Sequence, residues 1–457
     1  MTPPVIVGAG PAGVRAAQAL VAHGLRPVLI DEAPRAGGQI YRRPPAHFRR
    51  TAAALYGTEA ARATALHAAA DEIGDRIEHR PDSLVWNAQG GMLDVLRRGR
   101  IERVPYQGLI IATGATDRVL PMPGWTLPGV TTLGGAQVAL KFQGCAIGAR
   151  VVLMGSGPLL YLVAYQYAKA GAQVAAVLDS ARLADQLAAL PLMLTQPSTL
   201  AKGAWYVAWL RAHRVPILRG VRPLKIDGAE RVEAVQFEHR GQIRTIGCDA
   251  VGIGHALRPE TQLADLLGCG FAFDPLQRAH LPLRDAAGRS SVAGVYLAGD
   301  GAGILGADAA EWAGERAALA LLEDRGIAVD GARARLLERR LAGIRPFRRG
   351  LERAFPFPAD WAARADDELV VCRCENITAG QLRATVRETG ADDINRLKAL
   401  SRIGMGRCQG RMCGVAATEI LAQACGRPVG EVGRLRGQAP IKPVPFVALR
   451  EAQEATP

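Results

Sequence analysis

A chain of 457 residues is too long for one ordinary hydrophobic core and calls for two to four domains. Hydrophobic residues at 49% and charged residues at 22% fit a soluble globular protein, and no apolar run reaches the roughly 18 residues of a membrane span. The net charge of +13 comes from scattered Arg without a Lys/Arg block or interleaved aromatics, which argues against nucleic-acid binding and suits phosphate-bearing cofactors.

No basic segment precedes an apolar one at the N-terminus, so no secretory signal is expected and the expected location is cytoplasmic. The first ordered stretch, Val5-Ile6-Val7-Gly8-Ala9-Gly10-Pro11-Ala12-Gly13, runs a buried strand straight into Gly8-x-Gly10-x-x-Gly13. A helix-compatible run, Val14 to Ala22, ends at Gly24, and a second strand, Val28-Leu29-Ile30, delivers Asp31 and Glu32. Gly8 permits the tight turn, Gly10 lets backbone approach a pyrophosphate, and Gly13 lets helix and strand pack closely. The helix N-terminus offers free N–H groups and partial positive charge to the phosphates. Asp31 lies 18 residues beyond Gly13, near the usual spacing for a ribose-binding acid, with Glu32 as the alternative. The motif by itself leaves FAD, NAD and other ADP-containing nucleotides open.

Gly37-Gly38-Gln39 follows, and its paired glycines allow backbone to approach a cofactor. Residues 46–79 read as helical, with Leu55, Leu66 and Ile73 as buried points. A β-meander is predicted through Leu84–Trp86, Met92–Val95 and Ile101–Val104, with turns at Gly90-Gly91 and Gly99. Leu109-Ile110-Ile111-Ala112-Thr113-Gly114 reads as a buried strand ending in small residues.

A second nucleotide-type unit begins near residue 117. Val151–Met154 is its first strand, Gly155-Ser156-Gly157-Pro158-Leu159-Leu160 its loop, and Gln173–Leu178 its second strand, ending at Asp179. Leu160 stands where the third glycine belongs and should push the helix away from the strand. Val251-Gly252-Ile253-Gly254 mirrors the Ala112-Thr113-Gly114 segment. Val295-Tyr296-Leu297-Ala298-Gly299-Asp300 reads as a return to the first unit, followed by a helical run from Ala307 to Leu322. Arg333 to Ala354 is a basic helical connector broken at Pro356 and Pro358. A small module occupies 366–430, and the tail, with prolines at 440, 443, 445 and 457, shows no packing pattern of its own.

The Gly8–Gly13 loop with Asp31, the Ala112-Thr113-Gly114 strand and Leu297-Ala298-Gly299-Asp300 together resemble the two-dinucleotide-binding-domain flavoproteins over residues 3–325. That resemblance implies FAD in the first domain, with Asp300 at the ribityl or pyrophosphate region; the same aspartate could also cap the helix that follows. The redox Cys pair of the disulfide reductases is missing, since Cys145 and Cys248 stand alone, and they read with Cys269 and Cys425 as small buried hydrophobes.

The remaining four of the eight cysteines form Cys372-Arg-Cys374 and Cys408-Gln-Gly-Arg-Met-Cys413, separated by 33 residues. Four thiolates in two close pairs suit a [2Fe–2S] cluster, one pair per iron; a structural zinc is the rival. The spacing resembles the bacterioferritin-associated-ferredoxin-like domain, which binds [2Fe–2S].

With Gly37-Gly38-Gln39-Ile40-Tyr41-Arg42 and Arg118-x-x-Pro121-x-Pro123-Gly124, the whole chain resembles the larger subunit of dye-linked dehydrogenases. Opine oxidases, hydroxyproline and proline dehydrogenases and hydrogen cyanide synthase belong to that group. The expected fold is α/β: a FAD domain (1–116 and 255–325), an inserted second Rossmann-like domain (117–254), a connector (326–365), a [2Fe–2S] domain (366–430) and a tail (431–457). The expected FAD contacts are Gly8, Gly10, Pro11, Ala12, Gly13, Asp31, Glu32, Gly38, Gln39, Ala112, Thr113, Gly114, Gly299 and Asp300, with no catalytic residue assigned. The resemblance implies an amino-acid-oxidase-like partner that oxidises the amine on its own FAD, often FMN between the subunits, and leaves room for a small third component. The alternative is a self-contained NAD(P)H-dependent reductase passing electrons through FAD to the cluster; Asp179 would favour NAD there, whereas Leu160 argues against a working site.

Overall fold

The computed structural model describes residues 2–449. Five parallel strands form the first sheet, in the order Val295–Leu297, Leu109–Ile111, Val5–Val7, Val28–Ile30, Glu78–Arg80. The four apolar strands are buried along their whole length, which is why they read as unbroken Val/Ile/Leu runs rather than alternating ones. Helices Pro11–Ala22 and Ala307–Asp324 pack against each other so closely that a Cβ on Gly314 would lie 1.9 Å from the Ala12 carbonyl oxygen.

Two expectations here need correction. The first helix starts at Pro11, not Val14, because proline is pre-set for the first helical position and needs no N–H there. Residues 46–79 are not one helical stretch. Helices Ala52–Tyr56 and Ala60–Glu72 are separated at Gly57, whose φ is +59°, and Glu78–Arg80 is the edge strand of the sheet. That strand is polar, so its sequence carries no strand period. Leu55, Leu66 and Ile73 are buried as expected. The meander is present as Ser83–Gln89, Met92–Arg97 and Arg100–Pro105, paired antiparallel.

The second sheet is also parallel, in the order Ile217–Arg219, Gln173–Asp179, Arg150–Ser156, Ala250–His255, Val130–Thr132. Leu160 is fully buried in the core between helix Pro158–Lys169 and this sheet, with Val151 and Leu153. Its side chain fills the space that a glycine would leave for backbone contact. An antiparallel three-stranded sheet, Arg222–Asp227, Ala234–His239 and Gln242–Gly247, packs beside it. The fold class is therefore α/β, two Rossmann-like sheets with a C-terminal module.

The basic connector is two helices, Gly331–Gly343 and Arg345–Ala354. The C-terminal module holds a short hairpin, Val370–Cys372 with Ile377–Thr378, and helices Ala379–Thr389, Ile394–Ser401 and Gly414–Cys425. Thr378 and Asp393 cap the first two of these helices with side-chain oxygens. Trp125 Nε1 donates to the Val370 carbonyl at 2.7 Å and Trp361 Nε1 to that of Pro121 at 2.9 Å, fastening the module to the rest.

The tail packs although its sequence carries no pattern. The Ile441 side chain is buried beside the meander, its N–H donates to Trp86 O at 3.0 Å, and Lys442 pairs with Glu32 at 2.7 Å. The strap has no period because isolated side chains and backbone groups hold it, not a repeating face. Pro457 lies outside the described residues. No helix among the described residues is long and apolar enough to cross a membrane.

Candidate functional site

The glycine loop is built by backbone contacts that exclude side chains. Gly8 has φ +107°, and a Cβ there would lie 2.2 Å from Ala112 O; a Cβ on Gly13 would lie 1.7 Å from Gly8 O. Gly10 and Gly38 face each other, so a Cβ on Gly38 would sit 2.8 Å from the Gly10 Cα. Gly10 is the N-cap of helix Pro11–Ala22 and offers no capping side chain, which leaves the first-turn N–H groups open to an anion.

The two candidate acids differ in their freedom. Asp31 Oδ2 accepts from Ala9 N at 2.5 Å and Oδ1 from Ala33 N at 2.7 Å, while burial raises its carboxyl above the usual range. Glu32 is exposed and pairs with Lys442 from the tail. Gln39 accepts from Arg42 Nε at 3.2 Å. Behind that loop, the buried Lys141 donates from Nζ to Ile40 O at 3.0 Å, and burial pushes its ammonium down to about 7.

Thr113 Oγ1 donates to Glu260 O at 2.7 Å, and Glu260 N donates to Gly114 O at 2.9 Å. Asp300 Oδ1 accepts from Leu305 N at 2.8 Å and Gly306 N at 2.9 Å. Asp300 thus ties down the loop entering helix Ala307–Asp324 and still faces the cleft.

A single cleft of about 1910 Å³ is lined by Gly8, Gly10, Pro11, Ala12, Asp31, Glu32, Gly38, Gln39, Ala112, Thr113, Gly114, Gly299 and Asp300. Gly13 lies outside the lining, behind the loop. The cleft continues to Cys374 and Cys408 and along the second sheet to Tyr161.

The four clustered cysteines converge. Cys413 is in hydrogen-bond contact with both Cys372 and Cys408, and Cys408 also with Cys374. Cys372 and Cys413 are buried, Cys408 is half-buried and Cys374 is exposed. The Cys413 contact, aided by N–H groups of Cys374, Glu375 and Gly404, holds the Cys372 thiol down to about 6. Cys408 is lowered through Cys413, Cys374 and the N–H groups of Met412 and Gly410, while the same contacts push the Cys413 thiol up and burial raises Cys374. Gly406 makes room, since a Cβ there would lie 2.4 Å from that of Cys374. Backbone donors aimed at the Cys372 and Cys408 sulfurs favour thiolate, the ligand form, at those two positions. No three His, Cys, Asp or Glu side chains among the described residues are arranged around one metal ion.

In the second unit, Asp179 is fully buried. Its Oδ2 accepts from the Tyr161 hydroxyl at 2.6 Å and its Oδ1 from Ala181 N at 2.9 Å. Burial pushes its carboxyl up to about 6. Arg219 Nε donates to the same Tyr161 hydroxyl at 3.2 Å.

Sequence reasoning missed Glu260, Lys141, Tyr161 and Lys442. Each acts on a partner 18 to 410 positions away, and none sits in a motif. Arg411 lay in plain sight between Cys408 and Cys413, but its partner did not.

The sequence profile of the pyridine nucleotide-disulphide oxidoreductases matches residues 3–321, and that of the sarcosine oxidase A3 domain matches 368–453. The chain is 37% identical to an opine oxidase subunit of Rhizobium meliloti, covering 98% of this chain and 87% of that one. It is 35% identical to the hydrogen cyanide synthase subunit HcnB of Pseudomonas protegens, covering 97% of each. Its fold is similar to that of L-proline dehydrogenase from P. horikoshii, with a TM-score of 0.73 at 19% identity, covering 98% of this chain and 79% of that one.

Proposed function

The chain belongs to the pyridine nucleotide-disulphide oxidoreductase family, in the group of the opine oxidase and hydrogen cyanide synthase HcnB subunits, and on that premise we propose that it is the electron-relay subunit of a multi-subunit amine, amino acid or opine dehydrogenase. It is a FAD-dependent oxidoreductase. One observation carries the relay reading: a single cleft joins the Gly8–Gly13 loop, the Ala112-Thr113-Gly114 segment that follows strand Leu109–Ile111, and Asp300 to Cys374 and Cys408.

In this reading the N–H groups of Gly10 and Ala12 at the helix start would hold the pyrophosphate, and Gly38 clears the backbone path above it; Pro11 has no N–H and contributes only its fixed φ. Glu32 binds the ribose rather than Asp31, whose oxygens already hold Ala9 and Ala33. Asp300 orders the 300–306 loop beside the cofactor. FAD, when bound, supplies two-electron acceptance followed by one-electron release. Cys372, Cys374, Cys408 and Cys413 would hold a [2Fe–2S] cluster, and the backbone donors around Cys372 and Cys408 fit thiolate ligation.

The amine is oxidised on a partner subunit like the amino-acid oxidases, with FMN between the subunits. Domain limits of 1–116 with 255–325, 117–254, 366–430 and a tail accompany this reading. A self-contained NAD(P)H reductase is disfavoured by Tyr161, which occupies the acid that would meet a ribose.

The test is dye reduction. Expressed alone, the chain should give none with proline, hydroxyproline, sarcosine or opines. Co-expressed with an oxidase-like partner it should respond to one of them. Substrate-dependent dye reduction by the partner-free chain would place the catalytic pocket here and overturn the relay reading.

A further inference from the structure

Glu260 lies between the strand end that borders the flavin cleft and the loop that carries two of the four clustered cysteines. Its backbone clamps the first side twice: N–H to Gly114 O at 2.9 Å, and C=O from Thr113 Oγ1 at 2.7 Å. Its carboxylate clamps the second side twice: Arg411 Nε to Oε2 at 2.7 Å and Nη2 to Oε1 at 3.3 Å. Arg411 in turn donates from Nη1 to Ile441 O at 2.6 Å and lies 3.5 Å from Cys408 O. Two residues on, Gln262 donates from Nε2 to Gln409 O at 2.6 Å. The short segment 260–262 therefore grips the 408–413 loop at two points.

Both members of the ion pair are nearly out of solvent, with side-chain exposures of 13% for Arg411 and 9% for Glu260. A pair buried this far is weak evidence for stability, because desolvation offsets much of the attraction. Its two-pronged geometry instead fixes distance and direction. It joins residues 151 positions apart, and one of them, Glu260, is hydrogen-bonded through its backbone to Thr113 and Gly114.

We propose that Glu260 and Arg411 form a positioning pair that sets electron transfer between the flavin strand and the cysteine loop. This rests on the relay reading above. In the step concerned, one electron leaves the reduced flavin and one ferric iron of the cluster becomes ferrous, with no bond made or broken. A one-electron acceptor then empties the cluster before the second electron follows. Glu260 and Arg411 touch neither group's reacting atoms. They hold the two supports in register, and transfer rate depends steeply on that separation.

The experiment uses the full-length, cofactor-bearing chain and the variants Glu260→Gln, Arg411→Gln and their double. Hydrogen exchange is read over residues 404–414 and over helix Pro11–Ala22, alongside iron and flavin content. Electron arrival at the cluster is followed by visible absorbance and low-temperature EPR after photoreduction of the flavin. Expected are normal flavin content, exchange at least tenfold faster in 404–414 alone, and transfer at least fivefold slower. The double variant should be no slower than either single, since one pair is removed in each case. If Glu260→Gln sheds its iron, Arg411→Lys, which keeps the charge but gives up the second prong, takes its place with the same expectation. An unchanged transfer rate in an iron-replete variant, or additive losses in the double, would overturn the proposal. A wild-type chain with no iron at all would sink the relay reading. The exchange of 404–414 would still decide the clamp: unchanged protection in the variants overturns it, and tenfold loss supports it.

Discussion

The Tyr161 hydroxyl donates to Asp179 Oδ2 at 2.6 Å, so the acid that ends the second strand of the second Rossmann-like unit is already taken by its own helix. The other oxygen is held by Ala181 N at 2.9 Å. A dinucleotide ribose would have to break this pair to bind. Anaerobic mixing with excess NADH or NADPH should therefore leave the flavin absorbance unbleached over the first second. Bleaching within that second would move the assignment to the self-contained reductase.

The same buried carboxyl makes a pH prediction. Asp179 is raised from 3.8 to about 6 by burial, so the folded chain binds its proton more tightly than the unfolded one. Stability from this group is fully present below pH ~4 and is lost as pH rises through ~6, by up to about 3 kcal/mol. In Asp179→Asn this dependence disappears. Denaturant titrations of both proteins at pH values from about 4 to 7 should show the wild type losing ground to the variant across that window. A constant difference would show that the carboxyl titrates normally.

Gly10→Val and Gly13→Ala should fail in different ways. A Cβ on Gly10 meets only the Gly38 Cα at 3.6 Å, an ordinary contact, so Gly10→Val should fold and purify without FAD. A Cβ on Gly13 would lie 1.7 Å from Gly8 O, and that overlap should cost roughly 3 kcal/mol of stability. Thermal melts and flavin absorbance separate the two. A Gly10→Val protein with full FAD content would refute the pyrophosphate assignment.

Glu32→Gln should weaken FAD binding about tenfold, since one charged hydrogen bond to a ribose contributes about 1.5 kcal/mol or more. Asp31→Asn should act through the loop instead, because Asp31 holds Ala9 and Ala33 and the Asn nitrogen cannot accept from either. Flavin titration of the apoproteins gives the affinities, and melting curves give the loop effect. Equal affinities in Glu32→Gln and wild type would return the ribose role to Asp31.

Cys372→Ser or Cys408→Ser should lose iron and acid-labile sulfide while keeping FAD, because the thiols lie in a module with its own helices, whose apolar side chains join the core of the second sheet and not the one around the glycine loop. Metal analysis of protein purified without oxygen is the measure. Full iron in either variant, or zinc in the wild type, excludes the [2Fe–2S] assignment.

What the sequence disclosed and what it hid divide along one physical line. The glycine loop, the strands around it, the meander and the paired cysteines are local patterns, in which a residue's role follows from neighbours a few positions away. The Glu78–Arg80 edge strand is polar and short, and only its pairing with Val28–Ile30 makes it a strand. Asp31 and Glu32 are adjacent and chemically alike. Their difference lies in which backbone N–H groups fold back onto them. Glu260 meets Arg411, and Tyr161 meets Asp179, through the closing of the fold, which no spacing rule contains. The tail looked patternless because it is held by Ile441, Lys442 and backbone groups one at a time.

The strand Val295–Leu297 pairs with Leu109–Ile111, 186 residues earlier in the chain, and so imposes an order on synthesis. On the ribosome, residues 130–255 emerge as one continuous run and can close their own sheet early. The first sheet must wait for its outer strand, about 10–40 s at usual elongation rates. Gly299 and Asp300 arrive only with that strand. A nascent chain arrested before residue 295 therefore has its glycine loop but an unfinished wall opposite. A chain truncated before residue 295 should therefore fail to retain FAD, and one that extends past helix Ala307–Asp324 should be able to retain it.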